Sequence, residues 1–249
     1  MTQVMLVHGN PETAAVWEPL LPHLAGIDVD AVSPPGFGAP VPGGFGATSD
    51  DYLDWLVNEL EERGGEIDLV GHDWGGGHVA RVAIERPDLI RSWATDIAGC
   101  LAPDYVWHDL AQVWQTPGAG EENVAAMAAM PLADRTAVYR SLGLTPEVAE
   151  AMAAGFDDAM GRCILALYRS AAQPAMARLG ERLGNAAARP GLVIIPTDDE
   201  YTGGEARARW AAGQAGAEVA VLPGLGHWWM AQDPAAGAEA LRRFWAALA

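Results

Sequence analysis

The sequence predicts an α/β fold: a shortened, mostly parallel sheet of about six strands, with a helical segment inserted after the fourth. Three observations predict it. Short apolar runs alternate with helix-length segments from residue 4 onward. Nearly every run ends in glycine, proline or polar residues that favour turns. Residues 99–188 hold helical, Trp- and Met-rich pieces and no convincing strand. Such alternation implies right-handed crossovers and parallel neighbours.

In order, "VMLV" (4–7) meets "HGNP", and a helix is expected over 14–25. "VDAVS" (29–33) meets "PPGFG" and opens a Pro- and Gly-rich loop over 33–47, before a helix over 50–63. "IDLV" (67–70) meets "GHDWGG", then a helix over 76–86. "SWATDIA" (92–98) meets "GC". The inserted segment is broken at "QTPGAG", "MPLADR" and "GLTPE". "GLVIIPT" (191–197) meets "DDE" and a helix over 203–215. "AEVAVLPG" (217–224) meets "LGH", and 234–248 reads as a last helix. The expected division is a core of 1–98 with 189–249, and a helical cap of 99–188.

Composition narrows the partners. Half of the 249 residues are apolar, enough for one α/β domain with a sizeable core. The net charge is -18, from 15 arginines, no lysine and 33 acidic residues. That excess argues against nucleic acid or an anionic membrane surface. Cys100 and Cys163 form neither a disulfide framework nor a metal spacing, and no metal or cofactor is expected. The start, "MTQVMLVHGN", lacks a basic n-region, and no stretch reaches ~18 apolar residues. A cytoplasmic location is the expectation, and a homodimer is left open.

In an open parallel sheet, ligands bind beyond the carboxyl ends of the strands. His8 and Asn10 follow the first strand, Asp73 and Trp74 the third, Asp198 and Asp199 the fifth and His227 the sixth, while Asp96 ends the fourth. Gly71-His72-Asp73-Trp74-Gly75 has the spacing of a strand-to-helix nucleophile elbow whose middle residue is usually Ser. An aspartate there is ionised at neutral pH and needs no base before attack. Its attack on a saturated carbon forms an ester, which water can hydrolyse, whereas a serine would form an ether. The elbow therefore suits displacement at sp³ carbon, with halide or epoxide oxygen as leaving group. His227 is the expected base for the water. Asp199 is the first choice to orient it, with Asp198 and Asp96 as alternatives. His8 and His72 are expected to bond structure. Asn10 has two candidate roles: its backbone N–H, with that of Trp74, as oxyanion hole, or its amide, with the Trp74 indole, as halide site.

These residues resemble the α/β-hydrolase superfamily, specifically its epoxide hydrolase and haloalkane or haloacetate dehalogenase branch. The similarity runs through "HGNP", "PGFG", "GHDWGG", the cap and "GHWWMAQDP". It implies Asp73 as nucleophile, His227 as base and Asp199 as acid. "HGNP" is similar to the haloalkane dehalogenases, in which the residues matching Asn10 and Trp74 bind halide. "VWQTPGAGEE" (113–122) looks like an epoxide hydrolase cap segment, and "LYR" (167–169) like a second cap motif. That motif implies Tyr168 as proton donor to the epoxide oxygen, although haloacetate dehalogenases share the Tyr-Arg pair. The second cap tyrosine of epoxide hydrolases has no match: Leu110 stands nearest, with Tyr105 and His108 close by as substitutes.

The expected activity is hydrolysis of a small apolar organic substrate with water through an alkyl-enzyme ester. Epoxides are placed narrowly ahead of organohalides. Ester or lactone hydrolysis and a non-catalytic small-molecule receptor are the further alternatives.

Overall fold

The computed structural model describes residues 3–248. Its strands are β1 (Gln3–Val7), β2 (Asp28–Val32), β3 (Ile67–Gly71), β4 (Ser92–Thr95), β5 (Gly191–Pro196) and β6 (Glu218–Leu222). They form one six-stranded sheet in the order β2-β1-β3-β4-β5-β6, every neighbouring pair parallel. The strand order reverses direction at β1, so the carboxyl ends of β1 and β3 flank the crevice where such sheets take ligands.

Both faces of the sheet are covered, as parallel strands require. Side chains alternate between the faces with period two. Met5, Val7, Leu69, Trp93, Val193 and Ile195 belong to one core cluster. It also contains residues of α1 (Ser49–Arg63) and α2 (Trp74–Glu85). Val4, Leu6, Val70, Ala94, Leu192 and Ile194 belong to the cluster on the other face.

The 14–25 segment departs from its expected helix. It forms two separate 3-10 turns, Ala14–Trp17 and Leu21–Leu24. Pro19 and Pro22 supply no N–H and interrupt the ladder an α-helix needs. Trp17, Leu20 and Leu24 are still buried. The fourth strand is also shorter than its apolar run: pairing stops at Thr95, and Asp96 leaves the sheet.

Between β4 and β5 no strand occurs among the described residues. After a 3-10 turn at Ala98–Leu101 come α3 (Asp109–Gln115), α4 (Ala119–Ala129), α5 (Leu132–Ser141), α6 (Pro146–Gly155), α7 (Asp158–Ser170) and α8 (Ala175–Gly180). A second 3-10 turn, Leu183–Ala188, leads into β5. α3, α4 and α7 pack on one another, and α5 packs on α6. The interval is fastened to the sheet edge: the Tyr139 hydroxyl donates to the Pro11 carbonyl at 2.7 Å. α9 (Gly204–Ala215), the short α10 (Trp229–Gln232) and α11 (Pro234–Ala246) complete the chain. α11 lays Leu241, Phe244 and Trp245 on the second core face. No helix of the described residues is long and apolar enough to cross a membrane.

Candidate active site

Asp73 sits at the junction of β3 and α2 with φ 49° and ψ -129°, a left-handed value that an L-residue adopts at some energetic cost. The turn is tight enough to need its flanking glycines. A Cβ on Gly71 would lie 2.4 Å from the Gly75 carbonyl oxygen, and one on Gly75 would lie 2.1 Å from that of Val7. The close packing of this turn, with the Asn10 N–H on Oδ1 and the Asp73 N–H on Asp96, holds the carboxylate over the sheet edge.

Asp73 Oδ1 accepts the backbone N–H of Asn10 at 2.9 Å. Its Oδ2 lies 3.6 Å from His227 Nε2, beyond direct hydrogen bonding. Behind the ring, His227 Nδ1 is 2.8 Å from Asp199 Oδ2. Asp199 is itself oriented, because its Oδ1 accepts the Tyr201 N–H at 2.8 Å. The fold thus brings Asn10, Asp73, His227 and Asp199 into one line. Burial opposes the charged form of His227, but the Asp199 carboxylate, with Asp73 adding to it, raises the imidazole well above its usual value. Burial likewise opposes the Asp199 charge, and the facing His227 outweighs it and lowers that carboxyl.

The two other acids stand elsewhere. Asp198 is exposed, and its Oδ1 accepts the Thr197 hydroxyl at 3.0 Å. Asp96 is buried and accepts the Asp73 backbone N–H at 3.0 Å, while its other oxygen faces His72 Nδ1 at 2.5 Å. His8 bonds structure: its Nε2 is 3.2 Å from Ser33 Oγ. Burial lowers its pKa and keeps it neutral.

A cavity of about 260 Å³ opens on Asp73 and His227. Its wall carries the apolar side chains of Leu110, Trp114, Met127, Met130 and Val138 from the interval between β4 and β5. A side chamber of about 20 Å³ adjoins Asp73, bounded by Trp74, Trp107, Tyr105 and Tyr168 among others. Trp74 stacks on Trp107 with ring centroids 5.7 Å apart. Tyr168 lines both spaces. Burial pushes its phenol pKa well above the usual value, with Asp73 adding to the rise, so the proton is retained. Tyr105 is not free, since its hydroxyl donates to the Tyr201 carbonyl at 2.7 Å. His108 Nδ1 accepts the Ala111 N–H at 3.3 Å, which leaves Nε2 to carry the proton of the neutral ring. The Asn10 side-chain amide is buried, and neither its nitrogen nor its oxygen has a partner among the described residues.

Two charged residues escaped the reading of the sequence. Glu12 is fully buried beneath the site. Arg135 lines the cavity, and its guanidinium donates at 2.7 Å to the Ala153 and Met127 carbonyls near the ends of α6 and α4. Nothing local marks either one. Glu12 follows a turn, and Arg135 sits on a helix whose polar and apolar residues are not segregated.

The parallel sheet, the Asp elbow and the aligned His–Asp pair define an α/β-hydrolase. A family model described as the alpha/beta hydrolase family matches residues 4–240, and the chain belongs to that family. A haloalkane dehalogenase of Mesorhizobium japonicum is 27% identical over 173 residues, which is 58% of this chain and 53% of that one. The match therefore spans about half the length of that relative. Among solved structures, a loop variant of a haloalkane dehalogenase from Bradyrhizobium elkanii superposes with TM-score 0.71 at 24% identity, covering 100% of this chain and 91% of that one. The enol-lactonase from Burkholderia xenovorans superposes with TM-score 0.73 at 19% identity, covering 98% and 91%. At these identities the likeness of structure speaks for the fold alone.

Proposed function

We propose that the protein hydrolyses a small apolar organohalide through an ester on Asp73, with the interval between β4 and β5 acting as a cap over the site. One observation carries the reading. Asn10 holds Oδ1 of the elbow carboxylate at 2.9 Å, while Oδ2 stays open toward the substrate cavity and His227 Nε2.

In the first step Oδ2 attacks the halogen-bearing carbon. The new C–O bond forms as the C–X bond breaks, and the halide leaves with the electron pair. Alkylation removes the charge of Asp73. One of the two carboxylates that raise His227 is then gone, so the ring releases its proton more readily and becomes a base. In the second step water between His227 and Asp73 gives a proton to Nε2 and attacks Cγ. The resulting oxyanion on Oδ1 meets the Asn10 N–H, which replaces solvent at the point where charge develops. Collapse of the tetrahedral intermediate breaks the Cγ–Oδ2 bond, Nε2–H protonates the departing alkoxide to the alcohol, and the carboxyl so formed passes its proton to His227, which restores Asp73. Asp199 keeps the imidazole oriented throughout.

The order epoxide before organohalide is reversed here. The unpartnered Asn10 amide is a buried donor at the cavity wall, of the kind a halide satisfies. The 20 Å³ chamber has room for about one water-sized species. The Tyr105 hydroxyl is already committed to a carbonyl. The relative from Mesorhizobium japonicum is a haloalkane dehalogenase. A second reading, epoxide opening, rests on the protonated Tyr168 phenol beside Asp73. In it the phenol gives its proton to the epoxide oxygen.

The test is a paired screen of haloalkanes and epoxides with the parent enzyme and His227→Gln. The expected result is halide release by the parent and an alkyl mass increase on Asp73 in the variant. Turnover of epoxides alone transfers the assignment to the second reading. Turnover without any adduct, or without solvent ¹⁸O entering Asp73 in a single cycle, sinks the ester mechanism and favours direct attack by water with Asp73 as base; no turnover of either class shifts the reading to ester or lactone hydrolysis.

A further inference from the structure

Beneath the gap between Asp73 and His227 lies a second set of charges that these steps do not use. Glu12, His72 and Asp96 are 0%, 0% and 2% exposed. His72 stands between the two carboxylates, with Nδ1 2.5 Å from Asp96 Oδ2 and Nε2 3.1 Å from Glu12 Oε1. An ionised carboxylate only accepts hydrogen bonds, so a ring facing one at each nitrogen carries both protons. Two carboxylates and one imidazolium leave the trio one negative charge in excess. Burial opposes the charged ring, but Asp96 and Glu12 outweigh it and hold His72 at about 10. Burial also opposes the Glu12 charge, and His72 overcomes it and holds that carboxyl at about 2.

The remaining bonds of the trio run to the loops of the proposed mechanism. Asp96 Oδ1 accepts the N–H of Asp73 itself at 3.0 Å, and Asp96 Oδ2 accepts the Trp229 indole N–H at 2.8 Å. Glu12 Oε2 accepts the N–H of Gly9, the neighbour of Asn10, at 3.1 Å. Glu12 Oε1 accepts the indole N–H of Trp228, the neighbour of His227, at 2.6 Å. The His72 and His227 ring centroids are 4.6 Å apart. A carboxylate oxygen of Glu12 and one ring nitrogen each of His72 and His227 all lie within 4.8 Å of one another.

We propose that Glu12, His72 and Asp96 are positioning residues, a buried carboxylate–imidazolium–carboxylate brace that ties the nucleophile, oxyanion and base loops together and sets the charge felt by His227. The inference rests on Asp73 and His227 acting as assigned above. The groups facing His227 are Asp199, Asp73, Glu12 and His72, with His108 and Tyr201 across the cavity. Those facing His72 are Asp96, Glu12 and His227, with neutral His8 nearby. Glu12→Gln is isosteric and removes the excess negative charge; its amide oxygen can still accept from His72 and Trp228, while its NH2 leaves the Gly9 N–H without an acceptor. His227 then holds its proton less tightly.

Two measurements test this. In pre-steady-state kinetics on a haloalkane, the pKa governing ester hydrolysis is expected to fall by about one unit or more in Glu12→Gln, as a charge removed at this range requires. A merely structural defect would lower amplitudes and leave that pKa in place. In ring-¹⁵N histidine spectra of the parent protein, with the His227 signals identified by their loss in His227→Gln, the His72 imidazole is expected to keep both protons from about pH 6 to 9, where a free histidine titrates. In a folded Glu12→Gln it titrates at lower pH. An unchanged pKa in that variant, or a singly protonated His72 at neutral pH, overturns the brace. If Glu12→Gln does not fold, the spectra of the parent decide. Absence of an adduct in His227→Gln would instead refute the ester mechanism and leave the spectral result standing.

Discussion

The approach of Gly9 to Asp73 makes Gly9→Ala a sharp probe of the oxyanion contact. A Cβ on Gly9 would lie 2.0 Å from Asp73 Oδ1, 2.4 Å from its Cβ and 2.6 Å from its Cγ. Real Cβ contacts do not fall below 3.0 Å, so the carboxylate must retreat by about 1 Å. Asp73 has little room to retreat, because its N–H is bonded to Asp96 and the elbow is tightly packed. The Asn10 N–H contact is lost and the alignment with His227 changes. Losing one oxyanion donor costs roughly 10²–10³-fold in kcat, and a 1 Å misplacement roughly 10²-fold. These describe the same displacement, so the expected loss is about 10²–10³-fold and not their product. Overpacking costs about 1–3 kcal/mol, a fall of several degrees in Tm for a chain of this size. Gly213→Ala on α9 is the control: its Cβ meets nothing within 4 Å, and both rate and Tm should hold or Tm rise slightly. The assay is single-turnover alkylation and hydrolysis, with thermal melts on both variants. A folded Gly9→Ala within tenfold of the parent kcat would refute the idea that Oδ1 works in this contact.

Asp199→Asn leaves His227 without its orienting charge, so hydrolysis of the ester should slow roughly 10²–10⁴-fold while adduct formation persists. Intact mass during turnover checks it, and an equal loss in both steps would contradict the assignment. Arg135→Met strips the buried Ala153 carbonyl of its donor, costing about 1–3 kcal/mol, while the Met127 carbonyl keeps the Met130 N–H. A melt showing no loss of stability would contradict that role. Glu12 is held at about 2 against an ordinary 4.5, so its share of stability is present above 4.5 and is lost as pH falls toward 2. His72 has the opposite sign: its share is full below 6.5 and is lost as pH rises through about 10. Urea midpoints across pH should show both limbs in the parent and a flatter acid limb in Glu12→Gln. The same acid limb in both proteins would contradict the linkage.

What the sequence determined by itself was whatever a few neighbouring residues can encode. Apolar runs of strand length ending in turns placed all six strands to within a few residues. Glycines around Asp73 mark the elbow, and parallel topology alone sends Asn10, Asp73, Asp199 and His227 to one edge. Prolines 19 and 22 were equally visible, yet the apolar pattern around Trp17 read as one helix, because burial and helicity leave the same trace over so short a span. Only the tertiary structure decided which acid faces His227. Asp198 and Asp199 are adjacent in sequence, and the loop after β5 buries one and exposes the other. Only the fold could pair Glu12 with His72, 60 positions on, and with Trp228, 216 positions on. A buried charge persists where distant chain segments supply its partners, and a one-dimensional pattern does not record which segments meet.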